Sequence, residues 1–78
     1  MLRISLSAHA KQQMHRRSIS TEEIRAALTN QHTSYPGTNS KGDTVVIVGT
    51  CSDGRELCVV VARDEPTFVV TVYWKEDS

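Results

Sequence analysis

A histidine, an amide and two arginines lie close together near the N-terminus, in a segment expected to be helical. At about 100° per residue, His9, Gln13 and Arg16 fall on one edge of that helix, with Arg17 beside them. Imidazole exchanges protons near neutral pH and guanidinium stabilises charge building on a phosphorane, so the set suits phosphodiester cleavage. It also suits plain phosphate binding. Spacing alone favours a third interpretation, a solvated helix edge, because three polar residues on one edge are common.

Two further candidates lie at the end of the last predicted strand. Tyr73 and Lys75 alternate onto one face of that strand, where they could stack on a base or bind a phosphate. If that face meets the edge of the first helix, these two residues join His9 and Arg17 in one cleft. The commoner role of such a tyrosine is half-buried packing on a sheet, with its hydroxyl at the surface.

Composition indicates a small globular domain in the cytoplasm. The chain has 78 residues, of which 38% are hydrophobic and 23% charged, so we expect one domain over residues 1–78 with a thin core. No apolar run approaches the length that spans a bilayer, and the N-terminal residues lack the apolar region of a signal peptide. The net charge is zero, but residues 1–32 carry five basic and two acidic side chains. This uneven distribution indicates a modest basic surface for an anionic partner.

The cysteines and histidines give no sign of a cofactor. In the predicted hairpin register Cys58 lies opposite Val48 and Cys51 lies outside the ladder, so we expect two thiols rather than a disulfide. Two thiols and three scattered histidines show no metal-ligand spacing. We therefore expect no metal and no cofactor.

Two helices are predicted in the N-terminal half. Ser7 is a plausible N-cap for a helix over about 7–17. The sequence from Ser20 to Glu23 is a capping box, which predicts a second helix over about 20–30, and Ile19 and Ile24 occupy its hydrophobic-staple positions. Residues 2–6 alternate between apolar and polar, which indicates a short strand or an extended lead-in.

The C-terminal half predicts an antiparallel sheet. Stretches rich in β-branched residues indicate strands over about 44–50, 56–62 and 67–75, joined by short turns, whereas the polar residues 30–43 read as a long loop. The fold class is therefore α+β, with two N-terminal helices packed on an antiparallel meander of three to four strands. In the last strand Phe68, Val70, Val72 and Trp74 are predicted to face one side. Val69, Thr71, Tyr73 and Lys75 are predicted to face the other.

The sequence from Ser7 to Trp74 resembles a known domain family. Ser-x-His-Ala opens the first helix, Met14 follows His9 by five residues, and an Arg-x-Ile-Ser segment leads into an acidic helix start. Small domains of the DUF4258 type carry a similar pattern and end in a strand like the Val-Thr-Val-Tyr found here. Two positions depart from it, since Gln13 stands where a basic residue is frequent and Ser18 where glycine is usual.

This family looks related to RelE/ParE and BrnT-like toxins, and to the wider barnase–colicin–RelE fold. The resemblance implies a toxin-like, RNA-directed module, in its strongest form a metal-independent endoribonuclease of a toxin–antitoxin system. On that reading His9 is the general acid or base and Arg17 the phosphate clamp, with Tyr73 and Lys75 in support. Expected nucleic-acid contacts complete the set: Lys11, Gln13, Arg16 and Lys75.

Two other classes of function remain open at the level of sequence. One is a non-catalytic module that binds nucleic acid or an acidic protein through the same basic edge. The other is an inhibitor, immunity or assembly protein that docks through a free sheet edge and is indifferent to the histidine. The partners expected across these alternatives are RNA or the ribosome, an antitoxin-like protein, or a second copy of the chain.

Overall fold

The computed structural model describes residues 3–37 and 44–77, which form two helices and one five-stranded sheet. The elements follow the chain in this order: β1 (Ser5–Leu6), α1 (Ala8–Arg17), α2 (Thr21–Thr29), β2 (Gln31–Pro36), β3 (Thr44–Thr50), β4 (Glu56–Ala62), β5 (Phe68–Trp74) and a short 3₁₀ turn (Lys75–Asp77). The α+β class predicted from sequence is confirmed. Within the described ranges, neither helix has the length and apolar character needed to cross a membrane.

Both helices begin at the caps that the sequence indicates. The Ser7 hydroxyl accepts a hydrogen bond from the Ala10 amide at 3.0 Å, and Ser20 and Glu23 form a reciprocal capping box. α1 ends where Ser18 adopts a left-handed conformation with φ of 55°. A positive φ ordinarily favours glycine, so this backbone conformation is adopted here by a serine.

The sheet has more strands than expected and is mixed rather than wholly antiparallel. Its order is β1-β5-β4-β3-β2, and β1 pairs with β5 in parallel. The prediction of a loop over 30–43 was wrong for residues 31–36, which form β2 along the edge of β3. Every residue of β2 is exposed, so the strand needs no apolar alternation and gives no periodic signal. Residues 38–43 of the predicted loop lie outside the described residues.

The β3–β4 hairpin has the register inferred from its turn. Val48 lies opposite Cys58 and Thr50 opposite Glu56. Cys51 lies beyond the last pair of the ladder, and both cysteines are buried free thiols. Burial is the main cause of a raised pKa for each thiol.

The main core lies between the helices and one face of the sheet. It comprises these buried residues: Ala10, Ile19, Ile24, Ala27, Leu28, Ile47, Cys51, Leu57, Val59, Val61, Val69, Val72 and Trp74. The Trp74 indole N–H donates to the Arg17 backbone carbonyl at 3.0 Å, which satisfies an acceptor at the end of α1. α2 approaches β3 so closely that a Cβ at Gly49 would overlap the Ala27 backbone. Glycine is therefore required at this contact.

A β-bulge in β5 changes which residues face the helices. Val60 pairs with Thr71 but Val61 pairs with Val69, which leaves Val70 as an extra residue. The predicted alternation was consequently wrong at two positions. Val69 packs in the helix-covered core, whereas Val70 packs on the opposite face beside Tyr73.

Candidate functional site

The sheet face opposite the helices, called here the open face, carries its own small apolar cluster. Four buried residues form it: Val46, Val48, Cys58 and Val60. Val70 and Tyr73 pack against them. Because these side chains come from three adjacent strands, they make a continuous apolar floor with a tyrosine at one side. Val48 and Cys58 are only 1% exposed, whereas the other four members also line a hollow.

A hollow of about 310 Å³ lies on the open face and is lined by residues from α1 and the sheet. Its polar side chains are His9, Thr44, Thr71 and Tyr73, and its other lining residues are Gly37, Val46, Val60 and Val70. The hollow thus combines apolar walls with an imidazole, a phenol and two hydroxyls. Of these, imidazole is the type that both accepts and donates a proton near neutral pH.

Two hydrogen bonds place the start of α1 beside the bulge of β5. The Ser7 amide donates to the Val69 carbonyl at 3.0 Å, and the Ser7 hydroxyl donates to the Val70 carbonyl at 2.7 Å. The same hydroxyl accepts from the first turn of the helix, so one serine both caps α1 and attaches it to β5. His9, two residues further along, is exposed and lines the hollow.

The Tyr73 hydroxyl lies in an environment that keeps it protonated. Burial, together with a hydrogen bond to the Tyr35 side chain, raises the pKa of Tyr73 to about 12. A hydrogen bond with Tyr73 also acts on the Cys58 thiol, although burial outweighs it and raises the pKa of Cys58. Tyr73 is therefore a hydrogen-bond donor at neutral pH rather than a base.

The other residues predicted on the inner edge of α1 are paired with each other. The Arg17 Nε donates to the Gln13 Oε1 at 3.1 Å, one helical turn away. Both side chains are half-buried, and neither lines the hollow. The structure thus brings His9 and Tyr73 together and places the Arg17–Gln13 pair outside that site.

The two remaining residues predicted on α1 lie on its outer side. Lys11 and Arg16 are exposed and line a shallow depression together with Gln12 and His15. α1 contains no acidic residue. This outer side is therefore a basic surface that is separate from the lining of the hollow.

Lys75 belongs to a third region, near the β3–β4 hairpin. Its Nζ lies 3.4 Å from the Glu56 Oε2, and the Glu56 Oε1 lies 2.8 Å from the His32 Nε2. Arg55 lies close by, with its Nε 2.7 Å from the Asp53 Oδ2. In the described part of the chain, no group of three or more His, Cys, Asp or Glu is placed to bind a metal ion.

Sequence reasoning missed two hydroxyls of the hollow and one interaction of its tyrosine. Thr71 was predicted on the same face as Tyr73, and Thr44 precedes Val46 by two residues on the predicted strand, but neither hydroxyl was singled out as a site residue. Tyr35 falls within the predicted loop over residues 30–43, yet it lies on β2 opposite Val46. A prediction of β2 as an edge strand beside β3 would have located it on the open face.

The residues that build the hollow fall within a recognised domain. A model of the family described as "Domain of unknown function (DUF4258)" matches residues 6–74. The chain belongs to this family. The matched region of the DUF4258 domain includes both His9 and Tyr73. Comparisons with curated proteins and with solved structures gave no match.

Proposed function

We propose that this DUF4258 chain is a toxin-like, RNA-directed module that cleaves RNA without a metal, using His9 for proton transfer. The observation that carries the proposal is the hollow that both His9 and Tyr73 line, together with apolar residues of the sheet. An unpaired nucleobase has apolar faces and polar edges, so it suits such a site. The element order, two helices followed by a largely antiparallel sheet, also supports the resemblance to RelE/ParE and BrnT-like toxins.

The proposed reaction uses the substrate's own 2′-hydroxyl as the nucleophile. His9 accepts the proton of the 2′-hydroxyl, the 2′-oxygen forms a bond to the adjacent phosphorus, and the bond from phosphorus to the 5′-oxygen breaks. The proton passes from the imidazole to the leaving 5′-oxygen. The products are a 2′,3′-cyclic phosphate and a free 5′-hydroxyl, and His9 returns to its starting state.

Tyr73 has a different role in this scheme. Because its raised pKa keeps the phenol protonated, it donates a hydrogen bond to a non-bridging phosphate oxygen, where charge increases in the transition state. The resemblance also implies that Arg17 binds the phosphate, and that role stays a prediction.

Substitution of His9 tests the proposal. In buffer containing a chelator, we expect His9→Ala to lower the rate of RNA cleavage by about 100-fold or more, because a general acid–base contributes at least that factor. Thermal unfolding should be unchanged, since His9 is exposed. Imidazole added to the buffer should restore part of the activity of the variant.

Two controls make the result specific. His32→Ala removes an exposed histidine that is paired with Glu56 and should leave cleavage unchanged. RNA with a 2′-deoxy substitution at the scissile position should bind but not react. RNA binding without cleavage by the native protein would contradict the enzymatic proposal and favour the non-catalytic binding module.

A further inference from the structure

The cations of the molecule fall into two groups that differ in whether they have acidic partners. Arg55 contacts both Asp53 and Glu23, and Lys75 contacts Glu56. By contrast, among the described residues no carboxylate lies within ion-pair distance of Lys11 or Arg16. Arg3, Arg25 and Arg63 likewise have no carboxylate in ion-pair contact among the described residues. The outer side of α1 differs from them because two such cations, Lys11 and Arg16, line one depression there.

One of these two cations lies on the same side of α1 as His9, which lines the hollow. Gln12 and Arg16 follow His9 at spacings of three and seven residues, which places the three on one side of α1. Arg16 lies roughly 10 Å from His9 along the axis, at 1.5 Å of rise per residue. Lys11 and Arg16 line the same depression on this outer side. Lys11, two residues after His9, lies about 160° around the helix from it. A chain of phosphates that leaves the hollow at His9 and enters the depression thus passes between Arg16 on the His9 side and Lys11 on the other.

We propose that the RNA chain leaving the hollow runs along the outer side of α1, where Lys11 and Arg16 bind its successive phosphate groups. This inference rests on the proposed function, and it specifies the substrate as a strand several nucleotides long rather than a mononucleotide or dinucleotide. RNA is favoured over an acidic protein because Arg16 lies on the same side of α1 as His9, which lines the hollow.

The test compares a short substrate with a long one. A ribodinucleotide occupies the hollow alone, whereas a labelled single-stranded oligoribonucleotide of mixed sequence also reaches α1. We expect Arg16→Gln and Lys11→Gln each to raise the KM of the oligomer about fivefold and to lower the slope of log affinity against log salt by about 1. Cleavage of the dinucleotide should stay unchanged.

Arg55→Gln is the matched control, because it removes the same charge from an exposed arginine that is already paired with carboxylates. We expect it to leave oligomer binding unchanged. An equal loss of affinity in Arg55→Gln, or no loss in the α1 variants, would overturn the path along α1.

Binding of an oligomer made uncleavable by 2′-deoxy substitution separates this inference from the proposed reaction. If native protein binds that oligomer through Lys11 and Arg16 but His9→Ala does not alter cleavage of ordinary RNA, the path stands and the mechanism fails. If the oligomer does not bind, whereas polyglutamate binds in a Lys11- and Arg16-dependent manner, the path is overturned in favour of an acidic protein partner.

Discussion

Neighbouring residues of the same strands lie on opposite faces of the sheet, and the two faces differ in what they contact. On β4, Val59 points into the helix-covered core and is fully buried, whereas Val60 lies on the open face with 9% of its surface exposed. The helix-covered side is filled by aliphatic side chains and by the α2 backbone against Gly49. The open side retains a hollow with an imidazole and a phenol. The helix-covered face thus holds the larger buried cluster, with thirteen described residues against four on the open face, and the open face adds polar groups beside its apolar residues.

The largest expected effect tests the close packing of the helix-covered side. Gly49→Ala should lower the free energy of unfolding by about 3 kcal/mol, because the added methyl group overlaps the Ala27 backbone, which cannot move without shifting α2. Urea denaturation measures the change.

Gly54→Ala is the control for this prediction. Gly54 has a φ of +90° but no atom near its added Cβ, so the substitution should cost only about 1 kcal/mol of backbone strain. Gly49 itself has no positive φ, so a loss no larger than that of Gly54→Ala would show that the contact with α2 does not require glycine at position 49.

Substitution of two adjacent valines compares the two faces directly, with a smaller expected loss in the free energy of unfolding. Val59→Ala should cost about 2.5 kcal/mol, because it opens a cavity enclosed by both layers. Val60→Ala should cost about 1 kcal/mol, since the hollow already leaves part of that side chain without neighbours. Thermal and urea unfolding of the pair measure the difference, and a larger loss for Val60→Ala would reverse the assignment of the main core.

The smallest effect appears only in alkali and concerns Tyr73. Its pKa of about 12 in the folded protein exceeds the ordinary value of about 10. The unfolded chain therefore loses this proton first as the pH rises, so stability falls between about pH 10 and pH 12. Tyr73→Phe should remove this part of the decline and leave neutral-pH stability nearly unchanged.

Absorbance of tyrosinate provides an independent measurement of the same prediction. The native protein should show a tyrosinate component that forms near pH 12, and Tyr73→Phe should lose that component. A native Tyr73 that ionises near pH 10 would contradict the described environment of the hydroxyl.

Local signals were sufficient to predict most of the fold. The Ser20 capping box, the strands over 44–50 and 56–62 and the turn between them were predicted at or within one residue of their observed ends. Each depends on neighbours in sequence, through caps, turn residues or β-branched composition. β2 was not predicted, because it is held by pairing with a distant strand and has no apolar face.

The candidate site was only partly predictable, for the same reason. His9 and Tyr73 were both singled out, and the structure places them in one hollow. Their proximity depends on the attachment of Ser7 to β5 and on the bulge at Val70, which are tertiary features. Arg17 shares an edge with His9 on a helical wheel, but its Nε is bonded to Gln13, and a wheel does not show such pairing.

The bulge at Val70 in β5 decides on which face of the sheet Tyr73 and Trp74 lie. With Val70 inserted, Tyr73 points away from the helices and Trp74 points toward them. If β5 kept Val70 but continued from Val69 without the bulge, regular alternation would exchange the two, so the indole would lie on the open face and the phenol beneath the helices. The bulge in β5 thus decides whether this domain can present the Tyr73 hydroxyl to a ligand.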